Sequence, residues 1–155
     1  MDANKLGSTR NSKDGQVAPF VIERTFNAPA PLIWKALTDK NEMKKWYFDL
    51  EVFKPEVGFE FRFVAGDCGK DFMHLCKVTE VEAEKKLTYS WRYENFEGNS
   101  FVTFELLPEG KQTKLRLTHR GLESFPKDHP SFAKESFAKG WTEIIGTSLK
   151  EYLEK

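Results

Sequence analysis

Cysteine is nearly absent from this 155-residue chain, which holds only Cys68 and Cys76. Two thiols at that spacing make neither a disulfide framework nor a C-x-x-C redox or zinc pattern, so both are read as reduced. Net charge is absent as well, because 24 Lys and Arg balance 24 Asp and Glu. Without a basic surplus there is no electrostatic means of holding a phosphate backbone, and nucleic acid is excluded as a partner. Long apolar runs are missing too. Nothing approaches the roughly 18 consecutive apolar residues that cross a bilayer, and MDANKLGSTRNSKDGQ at the N-terminus lacks the apolar centre of a secretory signal. The expectation is a soluble, cytoplasmic protein with no membrane insertion.

What the chain has in excess is aromatic side chains: 14 Phe, 4 Trp and 4 Tyr. Each buries about 150–250 Å², so together they supply more core than one small domain needs, and a lined cavity is an outlet for the surplus. The length is that of one domain. Residues 1–17 carry no aromatic and neither apolar period, and are read as a disordered polar tail ahead of a domain at 18–155. FVIERTF, from Phe20, alternates as a strand. Pro29 and Pro31 stop it and open a short helix with Leu32, Ile33, Ala36 and Leu37 on its apolar side. A second short helix runs from Asn41, its expected cap, to Trp46.

From Glu51 to Arg120 the apolar period changes to 2, with turn signals every ten or so residues, which predicts a meander of about six antiparallel strands. Parity turns Phe59, Phe61, Phe63, Tyr89, Trp91, Phe104, Leu117 and His119 to one face. Glu60, Arg62, Lys77, Thr88, Ser90, Arg92, Thr103, Glu105, Lys114, Arg116 and Thr118 fall on the other, which reads as a solvated face or a partner surface. An apolar sheet face must be covered. The proline-free stretch from Ser131, its expected cap, to Leu153 does so as one long helix, with Phe137, Trp141, Ile144, Ile145, Ser148, Leu149 and Tyr152 at 3–4 spacing. The fold class is α+β: a curved antiparallel sheet wrapped around a long C-terminal helix, with two short helices after the first strand.

Five segments in this order carry a resemblance: FNAPAPLIWKALTDKNEMKKWY (26–47), FKPEVGFEFRF (53–63), VTEVEAEKKLTYSW (78–91), TKLRLTHRGLE (113–123) and GWTEIIGTSLKEYLE (140–154). The sequence resembles the START-like (SRPBCC, or birch-pollen-allergen-like) superfamily, and within it the group related to the C-terminal domain of the activator of heat-shock-protein-90 ATPase. The resemblance implies a helix-grip fold with a hydrophobic cavity between helix and sheet. It names no ligand, since the superfamily includes lipid carriers, hormone receptors, cyclases and chaperone regulators.

The candidate binding residues are Trp46, Phe48, Phe61, Phe63, His74, Tyr89, Trp91, Phe104, His119, Trp141 and Ile145, an apolar set with a few polar tips suited to orienting one small hydrophobic molecule: a lipid, a fatty acyl chain or an aromatic metabolite. A collapsed aromatic core is the alternative. Trp46, Tyr47 and Phe48 are expected at the cavity mouth. His74 and Cys76 share a strand face, and with Asp67, Cys68, Asp71 or His119 they form the one cluster to weigh as a metal site. Its spacing matches no zinc pattern, and neither metal nor cofactor is expected. His74, His119, Tyr89 and Glu105 are the titratable groups within reach of the pocket; His119 is the best single candidate for acid–base work, and no catalytic constellation can be placed on one face, so catalysis is not the expectation. A heat-shock-protein-90-type chaperone is the alternative partner.

Overall fold

The computed structural model describes residues 18–67 and 70–154. The tail and Cys68 lie outside the described residues. Strand β1 (Phe20–Phe26) leads into helices α1 (Ala30–Thr38) and α2 (Lys40–Trp46). Five strands follow: β2 (Glu60–Asp67), β3 (Lys70–Glu82), β4 (Lys86–Tyr93), β5 (Ser100–Glu109) and β6 (Gln112–Arg120). They pair antiparallel in the order β1-β6-β5-β4-β3-β2, so the first strand closes one side of the sheet and β2 forms the other edge. The C-terminal helix lies against the inner face in three pieces: α3 (Lys134–Glu143), a π-helical stretch (Ile144–Leu149) and a last α-turn, α4 (Lys150–Leu153).

Several boundaries differ from the sequence expectation, each for a local reason. The meander has five strands rather than about six, because Pro55 and Gly58 break the alternation that starts at Glu51. Gly58 has φ +93°, a conformation open to glycine, and its N–H reaches the Val78 carbonyl at 2.8 Å. Asp39, not Asn41, caps α2: its carboxylate accepts from the Asn41 N–H at 2.8 Å while its own N–H closes α1 on Lys35. Ser131 does not cap the long helix either. It sits in a 3₁₀ turn (Pro130–Phe132), and α3 starts after Ala133. Thr88, expected in solvent, is buried and shares a 3.0 Å hydrogen bond with Thr103.

Two irregularities escape a simple period. In β3, Val78 pairs with Tyr89 and Glu80 with Thr88, leaving Thr79 as the extra residue of a bulge. The bulge moves the inward position from even to odd numbers, so that Val81 faces the core as Val78 does. The π-helical stretch similarly resets the helix stripe, keeping both Ile145 and Leu149 fully buried.

The two short helices are locked to each other by one indole. Because α1 stops at Thr38, the Ala36 carbonyl has no helical donor, and Trp46 Nε1–H fills the gap at 2.9 Å. Trp46 is therefore an internal brace, only 4% exposed. Trp46→Phe leaves that buried carbonyl without its donor and is expected to destabilise the fold by about 1–3 kcal/mol. Urea unfolding checks this, and an unchanged midpoint would show that the bond contributes nothing.

Candidate functional site

The inward residues of β2–β6 meet the C-terminal helix in a continuous aromatic layer. Phe61 packs edge-on to Tyr89 (5.0 Å between ring centres), Phe63 lies flat on His74 (4.5 Å), and Trp91 touches both His74 (5.0 Å) and Trp141 (5.4 Å). Most of this layer is filled. Phe61, Phe63, Tyr89, Phe104, His119 and Ile145 are buried among neighbours.

Open space remains at one end, as a cleft of about 280 Å³ between α3 and the ends of β2, β3 and β4. Of the eleven candidate residues, Phe48, His74, Trp91 and Trp141 line it. Phe61, Phe63, Tyr89, Phe104, His119 and Ile145 stand behind its walls, and Trp46 braces the short helices. Of the expected mouth residues, only Phe48 borders the space. Tyr47 lies one layer in, stacked between Trp46 and Trp141. The cleft also takes Phe137, placed on the inward helix stripe by its spacing but not among the binding candidates, together with Phe72, Tyr93, Phe132 and Gly140, which are not among those candidates either. Phe72 and Tyr93 carry the inward parity of β3 and β4 and could have been found that way. Phe132 sits in the turn before α3, where no period operates.

His119 is the organising polar group. An indole N–H can only donate, so the 3.0 Å contact from Trp141 Nε1 to His119 Nδ1 makes Nδ1 an acceptor and puts the imidazole proton on Nε2. That proton goes to Ser100 Oγ at 2.8 Å, and Ser100 in turn donates to the Trp91 carbonyl at 2.7 Å. Helix, β6, β5 and β4 are thus joined by one directed chain. Complete burial of His119 pulls its pKa down to about 3. With both ring nitrogens engaged and no charge, His119 has neither a free lone pair nor a proton to give, and its place is structural.

The other titratable groups of the interior are held neutral as well. His74 is depressed to about 4 by burial, against a smaller opposing pull from the Phe72 and Phe63 carbonyls, and its Nδ1 lies 3.0 Å from the Phe72 oxygen. Burial raises the Cys76 thiol and the hydroxyls of Tyr47 and Tyr89, which share a 2.7 Å hydrogen bond. Among the described residues no three His, Cys, Asp or Glu side chains converge as a metal site would require. The cleft is an aromatic space with neutral polar tips and one exposed carboxylate, Glu143, at its rim.

Acid should expose the cost of the two buried histidines. Their folded pKa values lie below the unfolded value of 6.5, so the unfolded chain binds more protons as pH falls through that value. Their stabilisation is complete above pH 6.5. Each loses up to about 1.4 kcal/mol per pH unit below that, His74 down to about pH 4 and His119 down to about pH 3. Urea unfolding at a series of pH values measures the slope. His119→Gln, which keeps a donor and an acceptor, should remove its share, and an unchanged slope in that variant would refute the assignment.

Residues 27–154 match the family described as Activator of Hsp90 ATPase homolog 1-like protein. No curated protein matches the sequence significantly. Solved structures share the fold. Mll3558 from Rhizobium loti superposes with a TM-score of 0.76 at 21% identity, over 88% of this chain and 96% of that one. MLL2253 from Mesorhizobium loti gives 0.70 at 29% identity, over 88% and 96%. DynU16, described as a putative protein in the dynemicin biosynthetic locus, gives 0.72 at 22% identity over 90% of this chain and 48% of its own. A six-stranded antiparallel sheet closed by a C-terminal helix, matched along nearly its whole described length, makes the chain a member of the Activator of Hsp90 ATPase homolog 1-like family within the START-like superfamily.

Proposed function

We propose that this protein binds a compact, largely apolar, ring-containing small molecule in the cleft between α3 and the sheet. The observation that carries the reading is Gly140. Glycine inside a helix costs about 0.5–1 kcal/mol relative to alanine, and such a cost usually has a packing or functional reason. Here no neighbour crowds it: a Cβ added at Gly140 meets nothing within 4 Å. Gly140 borders the cleft, beside Trp141 and Phe137, and its missing side chain leaves the space open.

Size and lining narrow the occupant. At about 280 Å³ the cleft falls at the lower end of small-molecule pockets, which run from about 300 to 1,000 Å³. Flat walls from Phe48, Phe72, Trp91, Phe132 and Trp141 favour an aromatic metabolite over an extended acyl chain. The place of DynU16 in a biosynthetic locus supports a small-molecule role for one protein of this fold.

A panel of aromatic and acyl compounds, followed by Trp fluorescence and by thermal shift, tests the proposal. A ligand at 100 times its Kd should add about 2.7 kcal/mol of stability. Gly140→Leu should fill the cleft and abolish binding while Tm stays level or rises, since leucine is the better helix former. Binding that survives Gly140→Leu, or a panel that perturbs neither Trp91 nor Trp141, would remove the proposal. The family description favours a second reading, a regulator of an Hsp90-type chaperone. It predicts a changed chaperone ATPase rate on adding the protein, and an unchanged rate at excess protein discards it.

A further inference from the structure

The outer face of the sheet is uneven in its electrostatics. Over much of it, charges are paired: Arg116 sits between Glu23 (2.6 Å) and Glu105 (3.7 Å), Lys114 meets Glu109 (3.6 Å), and Lys86 meets Glu80 (3.4 Å). Nearer the β2 edge, beyond the Lys86–Glu80 pair that joins β4 to β3, this stops. Arg62, Lys77 and Arg92 are exposed, and among the described residues none of their side chains has an ion-pair or hydrogen-bond partner.

The strand register gathers these three cations. Arg62 pairs with Leu75 and Leu75 with Arg92, so two guanidinium groups flank one apolar residue in a single row. Lys77 follows on β3 on the same face, in the row of Glu60 and Ser90. Two strand spacings put the Arg62 and Arg92 backbones about 10 Å apart, and Lys77 lies about 7 Å along from Leu75. They border a groove of about 540 Å³ that also takes in Glu51, Val52 and Asn99, roomier than the cleft on the opposite face. Three cations around an apolar seat outnumber the two carboxylates that line the same groove, Glu51 and Glu60, and leave it a local positive excess on a chain of zero net charge.

We infer that this groove is a second binding site, one that takes an extended acidic peptide segment of a partner protein, with acidic side chains at alternating positions on either side of an apolar one. In an extended chain residues i, i+2 and i+4 share a face and span about 13 Å. An acidic residue at each end then meets Arg62 and Arg92, whose long side chains reach outward, while the middle residue rests on Leu75. Lys77 adds attraction from the neighbouring row. Glu60 and Glu51 choose between polyanions. A nucleic-acid strand carries a charge at every step and sets phosphates against these carboxylates, whereas a peptide places neutral residues there.

Fluorescence anisotropy with a labelled synthetic peptide of repeated acid-Ser-Leu-Ser-acid pattern tests the inference on the full chain. Binding is expected at low salt, and it should weaken as ionic strength rises from about 0.01 M to about 0.15 M, where screening shortens from roughly 30 Å to roughly 8 Å. The double reversal Arg62→Glu with Arg92→Glu should cost roughly tenfold or more in affinity, with Tm unchanged because both side chains are exposed. Gly140→Leu should bind the peptide as the parent does, which separates this site from the cleft. Absence of peptide binding at low salt, equal binding by the reversal variant, or tighter binding of a single-stranded oligonucleotide of similar charge would each overturn it.

Discussion

One chain of hydrogen bonds holds the two layers of this protein in register. Trp141 donates to His119, His119 to Ser100, and Ser100 to the carbonyl of Trp91, so a side chain of the helix is tied through β6 and β5 to β4. Apolar packing alone would tolerate some sliding of the helix across the sheet, because dispersion and the hydrophobic effect have little direction. A donor-only indole aimed at a ring nitrogen has direction. Buried polar networks of this kind rigidify when every member is satisfied and are costly when one is not. Trp141 and Trp91, whose rings touch, also line the cleft, so the same chain fixes two of its lining side chains relative to each other.

The neutrality of the interior follows from the same arrangement. His119, His74, Cys76, Tyr47 and Tyr89 all have their charged forms disfavoured, chiefly by burial. A space lined by rings and neutral tips discriminates by shape and by single hydrogen bonds, and it rewards ligands that bring no charge. Charge is confined to the outside. There Arg116, Lys114 and Lys86 are paired across strands, whereas Arg62, Lys77 and Arg92 gather without an ion pair among the described residues.

The opposing faces therefore offer different chemistry on one thin sheet. Alternation separates them locally: Leu75 and Lys77 point outward while His74 and Cys76, one residue away, point inward. A change on one face need not disturb the other. Gly140 and the Arg62–Arg92 pair are accordingly independent handles.

Sequence alone determined the layers. Strict alternation in 59–63, 87–93 and 113–119 set the inward faces, and 3–4 spacing after Ser131 identified the helix that covers them. Both periods are local, and both are imposed by backbone geometry. The family resemblance, carried by five ordered segments, was legible for the same reason. What sequence could not decide is where the packing stops. Whether an inward ring borders open space or another ring depends on partners distant in the chain: Phe132 from a turn, Gly140 from the helix, Phe48 from the segment after α2. The β3 bulge and the π-helical stretch shift parity and stripe where no single residue announces it. His119 shows the difference most clearly. Its inward position follows from alternation, but its fate as a neutral, fully bonded brace was settled by Trp141 and Ser100, brought to either side of its ring only by the folded chain.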